Sequence, residues 1–251
     1  MRFDKRTAFS AIFIAGAAAA VLLLPAIATV GNLLSPNHPI PASAHVAPLL
    51  GEAIWARANG GRNTELQPIN PFTVGRTLSC LILAERLAPS PERDARQDEC
   101  LTNLPAIEAI GYLSTVQMRA DGVWQDPRVP FVQIAHMNRL TSSWSKSQLL
   151  DTLAERGEFT LGIKGAEHAA RTFFGTAVPE LTLAQAAAVA ALLGDTRFDP
   201  WCAEDRALQR RHRVLGRMRA NDAIDQASFD AADQSPLGLI DPPSTHQPCA
   251  R

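Results

Sequence analysis

The sequence predicts a mostly α-helical protein in which one hydrophobic segment precedes a folded body. Three observations lead to this prediction. An uncharged run extends over Thr7 to Val30, hydrophobic residues make up 46% of the 251 residues, and apolar residues recur at helical spacing without lasting alternation. Charged residues make up only 20%, less than the usual quarter for soluble domains, which agrees with one long apolar segment.

The N-terminal run is long enough to cross a membrane, which takes about 20 apolar residues. Arg2, Lys5 and Arg6 precede it, and this positive flank predicts a cytoplasmic N-terminus and an exported body. Residues 1–30 are therefore expected to be a cytoplasmic tip and a membrane anchor. A cleaved signal peptide is the alternative, because Ala26–Ala28 fits a small-residue cleavage site. Both interpretations put the body outside the cytoplasm, and the first predicts a single-pass inner-membrane protein with a periplasmic body.

The remainder of the chain divides into a linker, a helical domain and a tail. Residues 31–44 are rich in proline and predict a linker, residues 45–240 a helical domain, and residues 241–251 an irregular tail. Apolar spacing and flanking Gly, Pro or charged stretches predict each helix of the domain. The predicted helices lie within residues 45–58, 72–88, 104–122, 131–140, 143–159, 167–174, 182–194 and 203–219, with a short last helix capped by Asp225.

Two of these helices have marked ends. Thr182 and Gln185 form an S/T-x-x-Q capping box at the start of an alanine-rich helix that stops at Gly194. The nearly unbroken apolar surface of that helix predicts burial on most sides. Gly175 is expected to end the helix before it.

Four cysteines predict two disulfides. Their number is even, and an exported chain meets an oxidising environment. Three pairings are possible; the pairs nearest in sequence, Cys80–Cys100 and Cys202–Cys249, are preferred over the others. Buried free thiols are the alternative. No spacing of Cys and His resembles a zinc ligand set, so no metal site is predicted.

The common catalytic signatures are missing, and the six scattered histidines are predicted to be structural or exposed. The net charge of −1 does not favour nucleic acid as a partner. Arginines of the helix within 203–219 are the better signal, because four of them share one helical face and a fifth lies beside them. They form either a solvated face or a clamp for phosphate or pyrophosphate. These arginines are Arg206, Arg210, Arg213 and Arg217, with Arg211 beside them.

The stretch "GAEHAARTFFGTAVPELTLAQAAAVAALLGDTRFDP" resembles the family-51 peptidoglycan glycosyltransferases, found in class A penicillin-binding proteins and monofunctional transglycosylases. The family pattern is roughly G-x-x-x-A-A-x-x-Y-F-G, then L-T-L-A-E-A-A-x-L-A, then Y-N-P. Matching positions here are Gly165, Ala169, Ala170, Phe174, Gly175, Leu181 to Ala184, Ala186, Ala187 and Pro200.

The resemblance extends on both sides, from about Ser145 to Leu239. Upstream, "SKSQLLDTLAERGEFTLGIKG" resembles S-K-x-x-I-L-E-x-Y-L-N-x-x-Y-F-G-x-x-x-G, although the Y-L-N core is not kept. Downstream, "RALQRRHRVLGRM" resembles A-L-x-R-R-N-x-V-L-x-x-M. The resemblance implies a mostly α, lysozyme-like domain on one N-terminal membrane helix. It implies lipid II, a disaccharide-peptide on a polyprenyl pyrophosphate, as substrate, and roles for Lys146, Arg210 and Arg211 in holding that pyrophosphate.

The family's general base is poorly matched. Glycosyl transfer needs a base to activate the acceptor hydroxyl, and the family uses a Glu in E-D-x-x-F-x-x-H-x-G. Glu52 is the only acid in the nearest segment, "LLGEAIWARANGG", and it comes earlier than the register of the apolar residues allows. On the better register, Ala58 and Asn59 occupy the Glu-Asp positions.

Other motif positions are degenerate as well. The family's G-G-S-T-I-T-Q-Q is represented only by "VGRTLSCL", in which Thr77 and Ser79 match and both glutamines are lost. The family has a second Glu in its catalytic region. Counted back from Lys146, the corresponding position in this chain is Gln133. An amide cannot take a proton as a carboxylate can, although it still forms hydrogen bonds.

Two functions therefore stay open. The first is a membrane-anchored protein of cell-wall glycan synthesis that binds lipid II with a degenerate catalytic site. The alternative is an active, divergent, monofunctional lipid II polymerase that uses a displaced carboxylate such as Glu52. A periplasmic helical domain without a link to lipid II is the third hypothesis. The expected partners are lipid II or the nascent glycan strand, the membrane and other cell-wall synthesis proteins; no cofactor is certain, and a divalent cation is left open.

Overall fold

The computed structural model describes residues 40–59, 66, 68–69, 71–87, 100, 107–120, 122, 129–244, 246 and 249. These residues are mostly α-helical, which confirms that part of the predicted fold class; they contain two isolated β-bridges and no β-strand. The helices described are α1 Pro48–Asn59, α2 Pro71–Leu87, α3 Ile107–Ala120, α4 Val129–Ser143, α5 Lys146–Arg156, α6 Ala166–Phe174, α7 Leu183–Leu192, α8 Glu204–Ala220 and α9 Gln226–Gln234.

The predicted membrane anchor lies outside the described residues. In the part that the structure describes, none of the helices has both the length and the apolar character that a bilayer crossing requires. Residues 1–30 and most of the predicted linker 31–44 are not described, so the anchor stays a prediction.

The chain separates into two compact units. One comprises residues 1–39 and 67–143, and the other comprises residues 40–66 and 144–251. We call them the first and the second unit. The predicted single domain over 45–240 spans parts of both, and its extent stays a prediction.

The first unit contains α2, α3 and α4, and α3 packs against α4. Two hydrogen bonds attach the backbone of Ile69 to α4. The Ile69 N–H donates to Thr141 Oγ1 at 2.8 Å, and the Ile69 carbonyl accepts from Asn138 Nδ2 at 2.9 Å. The Cys80–Cys100 disulfide fixes α2 to the segment before α3.

The second unit is organised around α7. This alanine-rich helix packs against α1, α6, α8 and α9, and eight of its ten residues are buried. Small side chains let neighbouring helices approach α7 on several sides, which is why its apolar surface is continuous rather than striped. The predicted capping box is present: Gln185 N–H donates to Thr182 Oγ1, and Thr182 N–H donates to Gln185 Oε1.

The ends of neighbouring helices also follow the sequence. Gly175 ends α6 in the left-handed conformation, with φ 68°, a backbone that glycine adopts without strain. Asp225 caps α9 by accepting a hydrogen bond from Ser228 N–H at 2.7 Å.

The tail after α9 returns to the second unit. Ile240 N–H donates to the Phe173 carbonyl at 2.9 Å, and Cys249 forms a disulfide with Cys202. Together with Cys80–Cys100, this is the pairing preferred from the sequence. The C-terminal segment is therefore attached to the second unit at Ile240 and at Cys249, and the irregular tail over 241–251 stays a prediction.

Candidate functional site

Lys146 is the first residue of α5, and a capping box fixes its backbone. Gln148 N–H donates to Ser145 Oγ at 3.2 Å, while Ser145 N–H donates to Gln148 Oε1 at 2.9 Å. The N-terminus of a helix carries partial positive charge because its first amides have no intrahelical acceptor. The Lys146 ammonium therefore adds to an already positive position.

Glu52 of α1 lies against Lys146. Lys146 Nζ is 3.3 Å from Glu52 Oε1 and 4.8 Å from the centroid of the Trp55 ring. The two charged side chains are 37% and 46% exposed, so water and ligands reach both of them. Trp55 is buried, and its ring is a fixed apolar surface beneath the ammonium. The structure thus brings together the predicted cation and the one predicted carboxylate.

Arg210 of α8 has a different acidic partner. Its Nη2 donates to Asp195 Oδ2 at 2.7 Å, and its Cζ lies 4.0 Å from the Phe198 ring centroid. The hydrogen bond from Arg210 lowers the pKa of Asp195 below its usual range. With a side chain only 21% exposed, the guanidinium has a defined orientation. It is a positioned positive charge whose counterion is already present.

Arg211 is buried, unlike its neighbour. Its guanidinium donates to three backbone carbonyls at the end of α9, those of Asp233 at 2.8 Å, Ser235 at 2.7 Å and Pro236 at 3.0 Å. Only 1% of its surface is exposed, and this burial lowers the pKa of the guanidinium. These contacts link α8 to the end of α9, and the pyrophosphate-binding role of Arg211 stays a prediction.

The other arginines of α8 also differ from one another. Arg217 Nη1 donates to the Arg57 carbonyl at 2.8 Å, which links α8 to the end of α1. Arg206 and Arg213 are exposed. The predicted arginine face is therefore not one uniform clamp.

Three predicted motif positions belong to the first unit. Thr77 is buried, and its Oγ1 has no hydrogen-bond partner within the described part of the chain. Ser79 Oγ donates to the Gly75 carbonyl of its own helix at 2.9 Å. Gln133 lies on α4 and is half-buried; its backbone carbonyl accepts from Ser114 Oγ at 3.3 Å.

A known protein family matches part of the chain. Residues 129–219 match the family described as Transglycosylase. This match confirms the resemblance. We call residues 129–219 the transglycosylase segment; it covers a little over a third of the chain and includes Gln133, Lys146, Arg210 and Arg211. Glu52, Thr77 and Ser79 come before it.

Individual curated proteins are also similar to part of this chain. Penicillin-binding protein 1A of Aquifex aeolicus is 32% identical over 100 residues, 39% of this chain and 14% of that protein. A biosynthetic peptidoglycan transglycosylase of Acinetobacter baumannii is 39% identical over 72 residues, 29% of this chain and 32% of that protein. The alignments thus span only about a seventh and a third of these relatives.

One solved structure also matches part of the chain. The crystal structure of penicillin-binding protein 1A from Haemophilus influenzae shares 33% identity over 38% of this chain and 14% of that chain, with a TM-score of 0.34. The roles of individual site residues stay predictions.

Proposed function

We propose that this protein binds lipid II as a membrane-anchored, peptidoglycan glycosyltransferase-like protein with a degenerate catalytic centre. The proposed location is the inner membrane, with the body in the periplasm. Lipid II or the nascent glycan strand is the proposed ligand, and other cell-wall synthesis proteins are proposed partners.

The contact of Lys146 with Glu52 and Trp55 carries the binding proposal. Lys146 belongs to the transglycosylase segment and lies at a helix N-terminus, where phosphate oxygens are favoured by both the ammonium and the helix dipole. It is partly exposed and held over a buried indole, so it is oriented without being enclosed. Arg210 supplies the second proposed contact, because a guanidinium forms paired hydrogen bonds to phosphate oxygens.

The loss of carboxylates supports a degenerate catalytic centre. On the family register, Ala58, Asn59 and Gln133 stand where acids are expected, and none of these side chains accepts a proton at neutral pH. Deprotonation of an acceptor hydroxyl needs such a group. Binding without polymerisation is therefore the proposed activity.

The binding proposal is tested with the full-length protein in detergent and purified lipid II. Lys146→Gln and Arg210→Gln should each weaken lipid II binding by about 10- to 100-fold, since a hydrogen bond to a charged group contributes about 1.5–3 kcal/mol. Lys164→Gln and Arg213→Gln are matched controls, because both side chains are exposed and belong to the second unit. Affinities equal to wild type in both site variants would remove these residues from the proposed site.

One observation favours an active enzyme as the second candidate. Glu52 is a carboxylate 3.3 Å from the proposed pyrophosphate-binding lysine, so the site retains one group able to take a proton. In this case wild-type protein would polymerise lipid II, and Glu52→Gln would abolish polymer while leaving lipid II bound. Polymer formed by wild type would overturn the degenerate-centre proposal, and its absence in the presence of binding would overturn the second candidate.

A further inference from the structure

Two short sequence pairs meet where the tail returns to the second unit. Asp199 and Cys202 are separated by two residues, and so are His246 and Cys249. Both pairs have the spacing that lets neighbouring side chains ligate one ion, as in the C-x2-C pairs of structural zinc sites. The two pairs are more than 40 residues apart, and the Cys202–Cys249 disulfide joins them.

The side chains of these pairs converge on one point. Asp199 Oδ2 lies 2.7 Å from His246 Nε2 and 3.2 Å from Cys202 Sγ. The ligand atoms of Asp199, Cys202 and His246 all lie within 4.8 Å of one another. Cys249 Sγ is bonded to Cys202 Sγ and so belongs to the same cluster.

No hydrogen atom lies between Asp199 Oδ2 and Cys202 Sγ in the oxidised protein. A disulfide sulfur carries no proton, so the 3.2 Å approach of Oδ2 to Sγ is not a hydrogen bond in the oxidised protein. In the reduced protein the same two atoms would be bridged by the thiol proton, or by a cation that replaces it. The carboxylate is thus held toward the sulfur by the rest of the structure.

Neighbouring groups fix the orientation of these ligands. Asp199 Oδ1 accepts from the Trp201 backbone N–H at 3.0 Å, which leaves Oδ2 directed at His246 and Cys202. The His246 ring packs edge-on against the Trp201 ring, with centroids 4.9 Å apart. Trp201 itself is held by a 2.8 Å hydrogen bond from Nε1 to the Ile240 carbonyl. Outer contacts of this kind orient metal ligands in known sites.

We propose that reduction of the Cys202–Cys249 disulfide converts this cluster into a zinc site formed by Asp199, Cys202, His246 and Cys249. One carboxylate oxygen, one imidazole nitrogen and two thiolates form a four-ligand set that suits tetrahedral Zn²⁺. With bonds of about 2.0 to 2.3 Å, the ligand atoms of such a site are roughly 3.3 to 3.8 Å apart. The distances from Asp199 Oδ2 to His246 Nε2, 2.7 Å, and to Cys202 Sγ, 3.2 Å, are already close to this range, and the two sulfurs must move apart once their bond is reduced.

The redox change balances without any further cofactor. A dithiol reductant supplies two electrons, is itself oxidised to a disulfide, and its two protons pass to the sulfurs of Cys202 and Cys249. When zinc binds, both thiols lose these protons to water, and neutral His246 coordinates through Nε2. The disulfide and the metal are thus alternative links between the tail and the segment before α8.

Cobalt binding tests this proposal, because Co²⁺ replaces Zn²⁺ and reports thiolate ligands through its spectrum. The Cys80→Ser/Cys100→Ser variant, full length and otherwise unchanged, removes the other cysteine pair. After reduction with a phosphine, this variant should bind one cobalt ion per chain, with a thiolate-to-cobalt charge-transfer band and the visible bands of tetrahedral cobalt. The oxidised form of the same protein should show neither.

Ligand variants identify the site. In reduced protein, Cys202→Ser/Cys249→Ser should abolish the charge-transfer band, and His246→Ala and Asp199→Asn should each weaken cobalt binding by at least about tenfold. Zinc should displace the bound cobalt. A reduced protein with native circular dichroism but no charge-transfer band would overturn the proposal, and so would a band that persists without Cys202 and Cys249. If the Cys80→Ser/Cys100→Ser background does not fold, reduced wild type is compared directly with Cys202→Ser/Cys249→Ser.

Discussion

Replacing Arg211 by methionine tests whether this residue holds the fold or the ligand. The substitution keeps an apolar stem of similar length and removes the guanidinium. Three carbonyls at the end of α9, those of Asp233, Ser235 and Pro236, then lose their donor. These carbonyls belong to the helix end, where no further intrahelical N–H reaches them.

The expected loss in the free energy of unfolding is large, but it is smaller than the summed contributions of the three hydrogen bonds. Each hydrogen bond from a charged donor contributes about 1.5–3 kcal/mol, so three bonds give a gross contribution of about 5–9 kcal/mol. Burying the guanidinium offsets part of this, as the lowered pKa of Arg211 indicates. We therefore expect Arg211→Met to reduce the free energy of unfolding by about 3–5 kcal/mol, the range for removing one partner of a buried charged interaction.

Urea unfolding followed by tryptophan fluorescence measures this change. Trp55, Trp144 and Trp201 all belong to the second unit and report its unfolding. Arg213→Met is the matched control: it is exposed on the same helix, and its stability should stay within about 0.5 kcal/mol of wild type. An Arg211→Met protein as stable as wild type but weakened in lipid II binding would refute the structural role of Arg211.

Three further outcomes follow from single contacts. Gly165→Ala should destabilise the protein by about 1–3 kcal/mol, because the φ of Gly165 is 80° and a Cβ there would lie 3.0 Å from the Glu155 carbonyl oxygen. Gly216→Ala is the control: a Cβ there meets open space inside α8, so thermal unfolding should show unchanged stability or a gain of up to about 1 kcal/mol. Asp195→Asn should lower the free energy of unfolding at pH 7 and flatten the decline of that free energy in acid. The pKa of Asp195 is depressed in the folded protein, so the Asp195 carboxylate stabilises the fold above the unfolded pKa of about 3.9, and this contribution is lost as the pH falls through the folded pKa. Equal slopes of stability against pH for both proteins between pH 5 and pH 2, measured by urea unfolding, would contradict this. Glu52→Gln should tighten lipid II binding by about 1.4- to 5-fold, because the partly exposed ion pair with Lys146, worth about 0.2–1 kcal/mol, no longer competes with the pyrophosphate. Weaker binding in a titration would show that Glu52 itself contacts the ligand.

Local chemistry made much of the second unit predictable. The Thr182–Gln185 capping box and the left-handed Gly175 depend on residue types at fixed offsets, and the structure contains both. The disulfide pairing could be favoured because each cysteine has one near partner in sequence. Such features need no knowledge of which surfaces meet.

The surroundings of the individual arginines of α8 could not be predicted in the same way. The spacing of Arg206, Arg210, Arg213 and Arg217 defines one face, but it does not say what that face meets. Adjacent residues on a helix are rotated by about 100°, so Arg210 and Arg211 point to different surroundings. Arg210 pairs with Asp195, and Arg211 enters the contact between α8 and α9.

The cluster around Cys202 was missed because its residues are distant in sequence. No Cys and His stand at a familiar zinc spacing, and the sequence analysis predicted no metal site. The available signal was a spacing that occurs twice, with an acid or a histidine three positions before a cysteine, at Asp199–Cys202 and His246–Cys249. Only the return of the tail to the second unit brings these pairs together.

The most direct test follows lipid II in one sample of full-length wild-type protein in detergent, with binding and glycan polymer measured side by side. We predict saturable binding of lipid II, weakened by Lys146→Gln and unaffected by Lys164→Gln, with no polymer formed. Polymer formation would contradict the degenerate catalytic centre, and the absence of saturable binding would contradict the proposed function as a whole.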